Sequence, residues 1–168
     1  SVCFILFLPD SESMIPVKNS AEILKMREVC EVAATVLYKV TQLVEPGVST
    51  YDLDQAGKRF IQELGAKSAC YNYRNGGKVY PGYICISVNE EVVHGIGSMK
   101  RTIQSGDIVS LDVVINCEGF IGDNANTLIV GDASEEVQFL VNETRNSLEH
   151  AIGFARAGGR VGDISNAV

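Results

Sequence analysis

The sequence predicts an α+β domain in which long helices cover an antiparallel β-sheet. Apolar residues recur at helical spacing after residue 19, which is typical of an amphipathic helix. Two β-rich runs follow in the second half of the chain with a turn signal between them, which indicates a hairpin. Residues 47–56 and 158–167 also align without gaps, each after a long helix, so a helix–helix–hairpin unit begins to repeat.

Three helices are predicted in chain order. The first covers 19–44, because Asn19 with Glu22 three positions later has the pattern of a capping box and a Glu-Pro-Gly stretch ends the apolar periodicity. A second helix is predicted over 49–64 and a third over 134–157, each followed by glycine.

Strands are predicted between the second and third helices. Residues 83–88, YICISV, alternate as a strand does. The runs DIVSLDVVI (107–115) and FIGDNANTLIVG (120–131) form the predicted hairpin. Residues 70–82, rich in tyrosine and glycine, are expected to form the loop that leads into the sheet.

Two aspartates lie on the predicted hairpin, one on each strand. If the turn is centred between Cys117 and Glu118, Asp112 and Asp123 pair directly, with Cβ atoms about 5 Å apart. Carboxylates at that distance repel, so either one is protonated or a cation bridges them, and hard oxygen ligands suit a divalent metal. Alternatively, Asp123 is a turn residue and the register differs by one, which places the carboxylates on opposite faces.

Composition excludes some classes of partner. A net charge of −7 argues against a nucleic-acid interface. Five scattered cysteines without a C-x-x-C pair indicate reduced thiols in the cytoplasm. The apolar start, SVCFILFL, lacks a preceding basic region and is too short to cross a bilayer, so no membrane association is expected. Residues 1–13 are interpreted as an upstream extension without a role in the fold.

Five further residues are candidates for a site. His94 is one of two histidines, and the glycines near it imply a sharp bend or a close approach of the backbone. A single histidine is more often a surface or core residue than a catalyst. Cys70, Tyr73, Tyr80 and Cys85 could line an apolar pocket, although packing of a hydrophobic loop explains each of them as well.

Four segments together resemble the bacterial type I methionine aminopeptidases, in the order that the family shows: MIPVKNSAEILKMR, EPGVSTYDLD, ICISVNEEVVHGIG and GDIVSLDVVINCEGFIGDN. The resemblance implies the first half of a pita-bread fold over residues 14–168, with the second pseudo-symmetric repeat truncated. It also implies removal of the N-terminal methionine from nascent proteins. The segment 74–79 is longer than the corresponding loop of the family.

The resemblance assigns roles to single residues. Asp112 and Asp123 match two of five ligands for two divalent ions, which could be Co, Mn, Fe or Zn. His94 matches the histidine that contacts the substrate and stabilises the scissile peptide in the transition state. The methionine side chain would lie against Cys70, Tyr73, Tyr80 and Cys85. The backbone near Asn89 and Glu91 would help to hold a monovalent cation.

The resemblance further implies that nascent polypeptide N-termini, met at the ribosome, are the substrates, and that the full-length enzyme is a cytoplasmic monomer. Its remaining ligands, one histidine and two glutamates, belong to the second repeat, so these 168 residues alone are expected to have little activity. A proline-specific dipeptidase of the same fold is disfavoured by the short distance from Met14 to the first helix. A non-catalytic peptide-binding or protein-binding module is disfavoured by the retained Asp112 and Asp123.

Overall fold

The computed structural model describes residues 15–168, so the expected extension at 1–13 and Met14 lie outside the described residues. Within this described part, four helices and six strands follow one another. In chain order they are α1 (Ser20–Thr41), α2 (Thr50–Glu63), β1 (Lys67–Ser68), β2 (Arg74–Asn75), β3 (Lys78–Val79), β4 (Cys85–Val88), β5 (Ile108–Cys117), β6 (Phe120–Ile129), α3 (Glu135–Ile152) and α4 (Val161–Ala167).

The predicted starts of the helices are confirmed by their caps. The Asn19 side chain accepts a hydrogen bond from the Glu22 amide at 3.0 Å, and the Glu22 carboxylate accepts one from the Asn19 amide at 2.8 Å. Ser49 caps α2 by accepting from the Asp52 amide at 3.1 Å. The first two helices end within three residues of the predicted positions, whereas α3 ends at Ile152, five residues before the predicted 157.

The sheet is antiparallel and is built around β5. Strand β6 pairs along the whole of one edge of β5, while β4 and β1 share the other edge, opposite 109–112 and 115–116. Alternate residues of β5 are fully buried, namely Val109, Leu111, Val113 and Ile115. The predicted architecture, an antiparallel sheet covered by long helices, is therefore confirmed.

Helix α1 packs directly on the buried face of the hairpin. Val29, Ala33 and Val36 are at most 1% exposed and form the core with the buried side chains of β5. Gly122 on β6 makes this approach possible, because a Cβ atom there would lie 2.6 Å from the Val29 carbonyl oxygen. Helix and strand therefore meet backbone to backbone at this point.

The register of the hairpin differs from the predicted one. The turn is centred between Glu118 and Gly119, both with positive φ (52° and 88°), which is the two-residue turn that suits the twist of antiparallel strands. Asp112 consequently pairs with Ala125, and Asp123 pairs with Val114. The predicted direct pairing of the two aspartates was wrong by two positions.

The loop predicted over 70–82 contains secondary structure that the sequence reasoning missed. Strands β2 and β3 pair as a small hairpin whose turn residues, Gly76 and Gly77, have positive φ. A Gly-Gly pair is a known signal for such a turn. The long 74–79 segment is therefore an exposed hairpin arm.

Helices α3 and α4 are lightly packed. Among the described residues of α3, Ala151 alone is buried. Four large apolar side chains of this helix are each at least 59% exposed, namely Phe139, Leu140, Leu148 and Ile152. Within 15–168, no helix combines the length and the apolar character needed to span a membrane.

Candidate metal centre and substrate pocket

Asp112 and Asp123 lie on the same face of the hairpin. Their pairing partners, Ala125 and Val114, are each two residues from the other aspartate, and residues two apart on a strand share a face. The two aspartates are therefore diagonal neighbours, a relation in which Cα atoms lie about 7–8 Å apart. This spacing is wider than predicted, but it excludes the alternative in which the carboxylates point to opposite faces.

The surroundings of Asp112 disfavour its charge. Burial, the Asp123 charge and a hydrogen bond with Asp123 together raise the pKa of Asp112 to about 6, although the nearby His94 partly offsets them. The Oδ1 atom of Asp112 is buried and has no hydrogen-bond partner among the described residues. An unpaired buried carboxylate oxygen is costly, so a cation between the two side chains fits this arrangement.

The pair is an incomplete set of ligands. Within residues 15–168, no three His, Cys, Asp or Glu side chains come close enough together to hold a metal ion. Asp112 and Asp123 are therefore the two donors that residues 15–168 bring to a candidate centre. A divalent ion held firmly in proteins ordinarily has four or more ligands, so further donors must come from elsewhere.

His94 lies on the exposed loop between β4 and β5. It has φ of +58°, a left-handed conformation that is uncommon for a residue with a Cβ atom. The following Gly95 is buried against β4, where a Cβ atom would overlap the carbonyl group of Ile86. The close backbone approach that the glycines predicted is confirmed, and it leaves the imidazole accessible beside the aspartates.

Three of the four predicted pocket residues lie together beside Asp112. Cys85 pairs with Asp112 across β4 and β5. The neighbouring Cys70 thiol and Tyr80 hydroxyl lower the pKa of Cys85, whereas the neighbouring Cys85 and burial raise the pKa of Cys70. Tyr73 is not part of this group: the residue is 41% exposed, and its described hydrogen bonds are those of its backbone with Cys70 and Tyr80.

The described cysteines, Cys30, Cys70, Cys85 and Cys117, are free thiols, as predicted. Cys3 lies outside the described residues. Two thiols beside a tyrosine make a soft and largely apolar wall, which suits the thioether of a methionine side chain.

Asn89 and Glu91 follow β4, and their side chains are engaged locally. The Asn89 side chain donates to Asp107 at 2.8 Å and accepts from the Ile108 amide at 2.9 Å. The Glu91 carboxylate accepts from the Val88 amide at 2.8 Å. These bonds fix the turn, so a cation here would have to be held by backbone carbonyl groups, as the resemblance implies.

Asp54 is a buried residue near the site that the sequence reasoning missed. It is 4% exposed on α2, and its Oδ1 accepts hydrogen bonds from the amides of Tyr83 at 2.6 Å and Ile84 at 3.2 Å. Burial raises the pKa of Asp54. Its signal in the sequence was its place on the apolar face of a helix, next to Leu53. Through these bonds α2 fixes the backbone that leads into β4.

Two curated relatives show what this chain resembles. It is 39% identical over 156 residues to the methionine aminopeptidase of Aquifex aeolicus, covering 92% of this chain and 60% of that protein. Methionine aminopeptidase 1 of Bacillus subtilis is 38% identical over 155 residues, with the same shares of the two chains. The chain thus spans about 60% of the length of these relatives.

Solved structures agree with this similarity. The methionine aminopeptidase of Thermotoga maritima superposes with a TM-score of 0.86 at 38% identity, covering 92% of this chain and 61% of that one. Prolidase from Pyrococcus furiosus superposes with a TM-score of 0.77 at 17% identity, covering 90% and 42%, which shows a shared fold alone. The predicted pita-bread fold, present in part, is confirmed. Residues 24–168 match the model of Metallopeptidase family M24, so the chain belongs to that family.

Proposed function

We propose that this chain is part of a methionyl aminopeptidase, a metal-dependent hydrolase that removes the N-terminal methionine of nascent proteins. The relatives that it resembles at 38–39% identity are named methionine aminopeptidases. The observation that carries the proposal is the unpartnered, buried Oδ1 of Asp112, which lies on the same sheet face as Asp123.

Asp112 and Asp123 would hold two divalent ions, of Co, Mn, Fe or Zn, together with ligands that relatives supply from the remaining part of their length. When bound, such ions supply Lewis acidity for hydrolysis of a peptide bond. Asp112 would contribute a half-buried carboxylate whose Oδ1 atom is buried, and Asp123 an exposed one. A monovalent cation would be held by the backbone near Asn89 and Glu91.

The remaining site residues would bind and orient the substrate. His94 would hydrogen-bond the scissile peptide group and stabilise the charge that develops on it. Cys70, Tyr80 and Cys85 would contact the methionine side chain. Tyr73 would reach it only if the exposed β2–β3 arm folds inward.

The substrates would be nascent chain N-termini met at the ribosome, in the cytoplasm, and the full-length protein would act as a monomer. Residues 14–168 would form an incomplete pita-bread peptidase domain, with 1–13 as an upstream extension. A proline-specific dipeptidase is less well supported, because the similarity to prolidase extends to the fold alone at 17% identity. A non-catalytic module would not require two aspartates on one face of the sheet.

Calorimetric titration with Mn²⁺ tests the metal centre. The 168-residue chain should bind Mn²⁺ saturably, although weakly because the ligand set is incomplete. Asp112→Asn should abolish the heat of binding, since it removes a donor at the pair. Asp132→Asn, in an exposed loop, is the matched control and should bind as the wild type does. Equal binding by the Asp112 variant would contradict the assignment.

Peptidase activity is measured separately. The chain alone should cleave a Met-Gly-Met peptide far more slowly than a full-length relative, because its described residues supply two metal donors and a firmly held ion needs more. A chelator-sensitive rate near that of a full-length relative would show that the described residues suffice for catalysis, and would contradict the proposed need for further ligands.

A further inference from the structure

We propose that Tyr80 is a positioning residue for His94: its hydroxyl group holds the carbonyl group of Gly95 and thereby fixes the backbone that presents the imidazole. This inference rests on the role proposed for His94. It assigns the Tyr80 hydroxyl a task beyond lining the pocket for a methionine side chain.

The hydrogen bond to Gly95 is the principal one that Tyr80 donates. Its hydroxyl oxygen lies 2.7 Å from the Gly95 carbonyl oxygen and 3.2 Å from that of Ile84. A phenol has a single proton, and the shorter contact is in the optimal range for an O–H donor. Burial raises the pKa of Tyr80, so the hydroxyl keeps that proton at neutral pH.

Gly95 is held at both of its backbone polar groups. Its amide donates to the Ser87 hydroxyl at 3.1 Å, and its carbonyl accepts from the Ile86 amide at 2.9 Å as well as from Tyr80. Ser87 and Ile86 both belong to β4. Tyr80 is therefore the one described donor that holds Gly95 from outside the strand.

The hydrogen bonds at Gly95 matter for His94 because the backbone conformation of His94 is itself unfavourable. A left-handed φ of +58° in a residue with a Cβ atom persists only where the surroundings impose it. The imidazole is exposed, and its side chain makes no described hydrogen bond that would hold the loop. The restraint on His94 must therefore come through the neighbouring Gly95.

The ring of Tyr80 lies close to the backbone that leads into β4. A Cβ atom on Gly82 would lie 3.0 Å from its Cε1 atom and 3.2 Å from the Asp54 carboxylate. A Cβ atom on Gly97 would lie 2.8 Å from the Asp54 Cβ atom. The Tyr80 ring, Asp54 of α2 and the loop that carries His94 and Gly97 therefore lie close together.

Hydrogen exchange and NMR spectroscopy of the 168-residue chain test this proposal. In Tyr80→Phe, the Ile86 amide should exchange about fivefold faster or more, as expected for loss of one hydrogen bond, and the His94 imidazole resonances should shift. Core amides of α1, such as Val36, should exchange as in the wild type. The matched control is Tyr71→Phe, whose ring is 43% exposed and stacked on Tyr83. It should change neither readout.

Two results would overturn the proposal. Unchanged Ile86 exchange and unchanged His94 resonances would show that the hydroxyl does not hold the loop. An equal rise in exchange at all core amides would show that Tyr80 contributes general stability only. The titration of the wild type with Mn²⁺ checks the proposed metal centre independently, because neither readout used here requires a bound ion.

Discussion

Asp112 combines two unfavourable features, a buried oxygen without a hydrogen-bond donor and a second carboxylate on the same face of the hairpin. The sequence was sufficient to choose this pair, because an aspartate inside an apolar strand is unusual. It was not sufficient to fix their spacing. The turn begins one residue later than expected because Glu118 adopts positive φ. Glycine or asparagine at position 118 would have indicated this conformation, whereas glutamate does not.

The charge on Asp112 should make the stability of the metal-free chain depend on pH. The pKa of Asp112 is about 6 in the folded state, above the ordinary 3.8. Its favourable contribution to the free energy of unfolding is therefore fully present below about pH 4 and is lost as the pH rises through 6. Asp112→Asn should therefore be more stable than the wild type at pH 7, by about 1–2 kcal/mol because solvent partly screens a half-buried group, and similar to it at pH 4.

Urea denaturation in EDTA at the two pH values measures this difference. Comparing Asp112→Asn with the wild type at each pH cancels the effect that the other titrating acids have on stability. A difference in unfolding free energy that is the same at pH 4 and pH 7 would show that Asp112 has an ordinary pKa.

At the scale of single elements, the caps and periodicity predicted α1 and α2 closely, because their signals are local. The alignment of 47–56 with 158–167 likewise predicted the start of α4, since Ser49 and Arg160 are the N-caps at equivalent positions. The C-terminal end of α3 and the β2–β3 arm were missed. Both depend on which glycines turn the chain, and many glycines in this sequence could do so.

The contact between α1 and β6 should be sensitive to a single methyl group. Gly122→Ala places a Cβ atom 2.6 Å from the Val29 carbonyl oxygen and 3.2 Å from the Ala33 Cβ atom, and backbone cannot move aside cheaply. We expect a loss of about 1–3 kcal/mol in unfolding free energy, measured by urea denaturation. Asn126→Ser, at an exposed position of β6 that is not on the face of Asp112 and Asp123, should stay within about 0.5 kcal/mol of the wild type. A neutral Gly122 variant would mean that helix and strand are further apart.

At the scale of the whole molecule, the buried side chains concentrate in α1, α2 and the sheet, while α3 and α4 add almost none. Sequence reasoning predicted the partial repeat and the class of site. It could not show that Cys70, Tyr80 and Cys85 lie together and Tyr73 apart, because their proximity depends on how the loop folds onto β4. Nor could it identify Asp54, which acts through backbone amides 29 and 30 residues away.

This distribution of buried residues predicts uneven stability. Amides of α3 and α4 should exchange with solvent at least about tenfold faster than those of β5, because few buried contacts hold the two helices to the core. Hydrogen-exchange mass spectrometry of the chain measures both regions in one experiment. Equal protection of α3 and β5 would show that the chain folds as a single cooperative unit.

We propose that Asp112 and Asp123 share a divalent ion on one face of the hairpin. Anomalous diffraction at the manganese edge, from crystals of the 168-residue chain soaked in Mn²⁺, tests it most directly. We predict an anomalous peak within coordination distance of both carboxylates, about 2.0–2.4 Å from the nearest oxygens. A well-ordered site with no peak between them, or manganese bound only elsewhere on the chain, would contradict it.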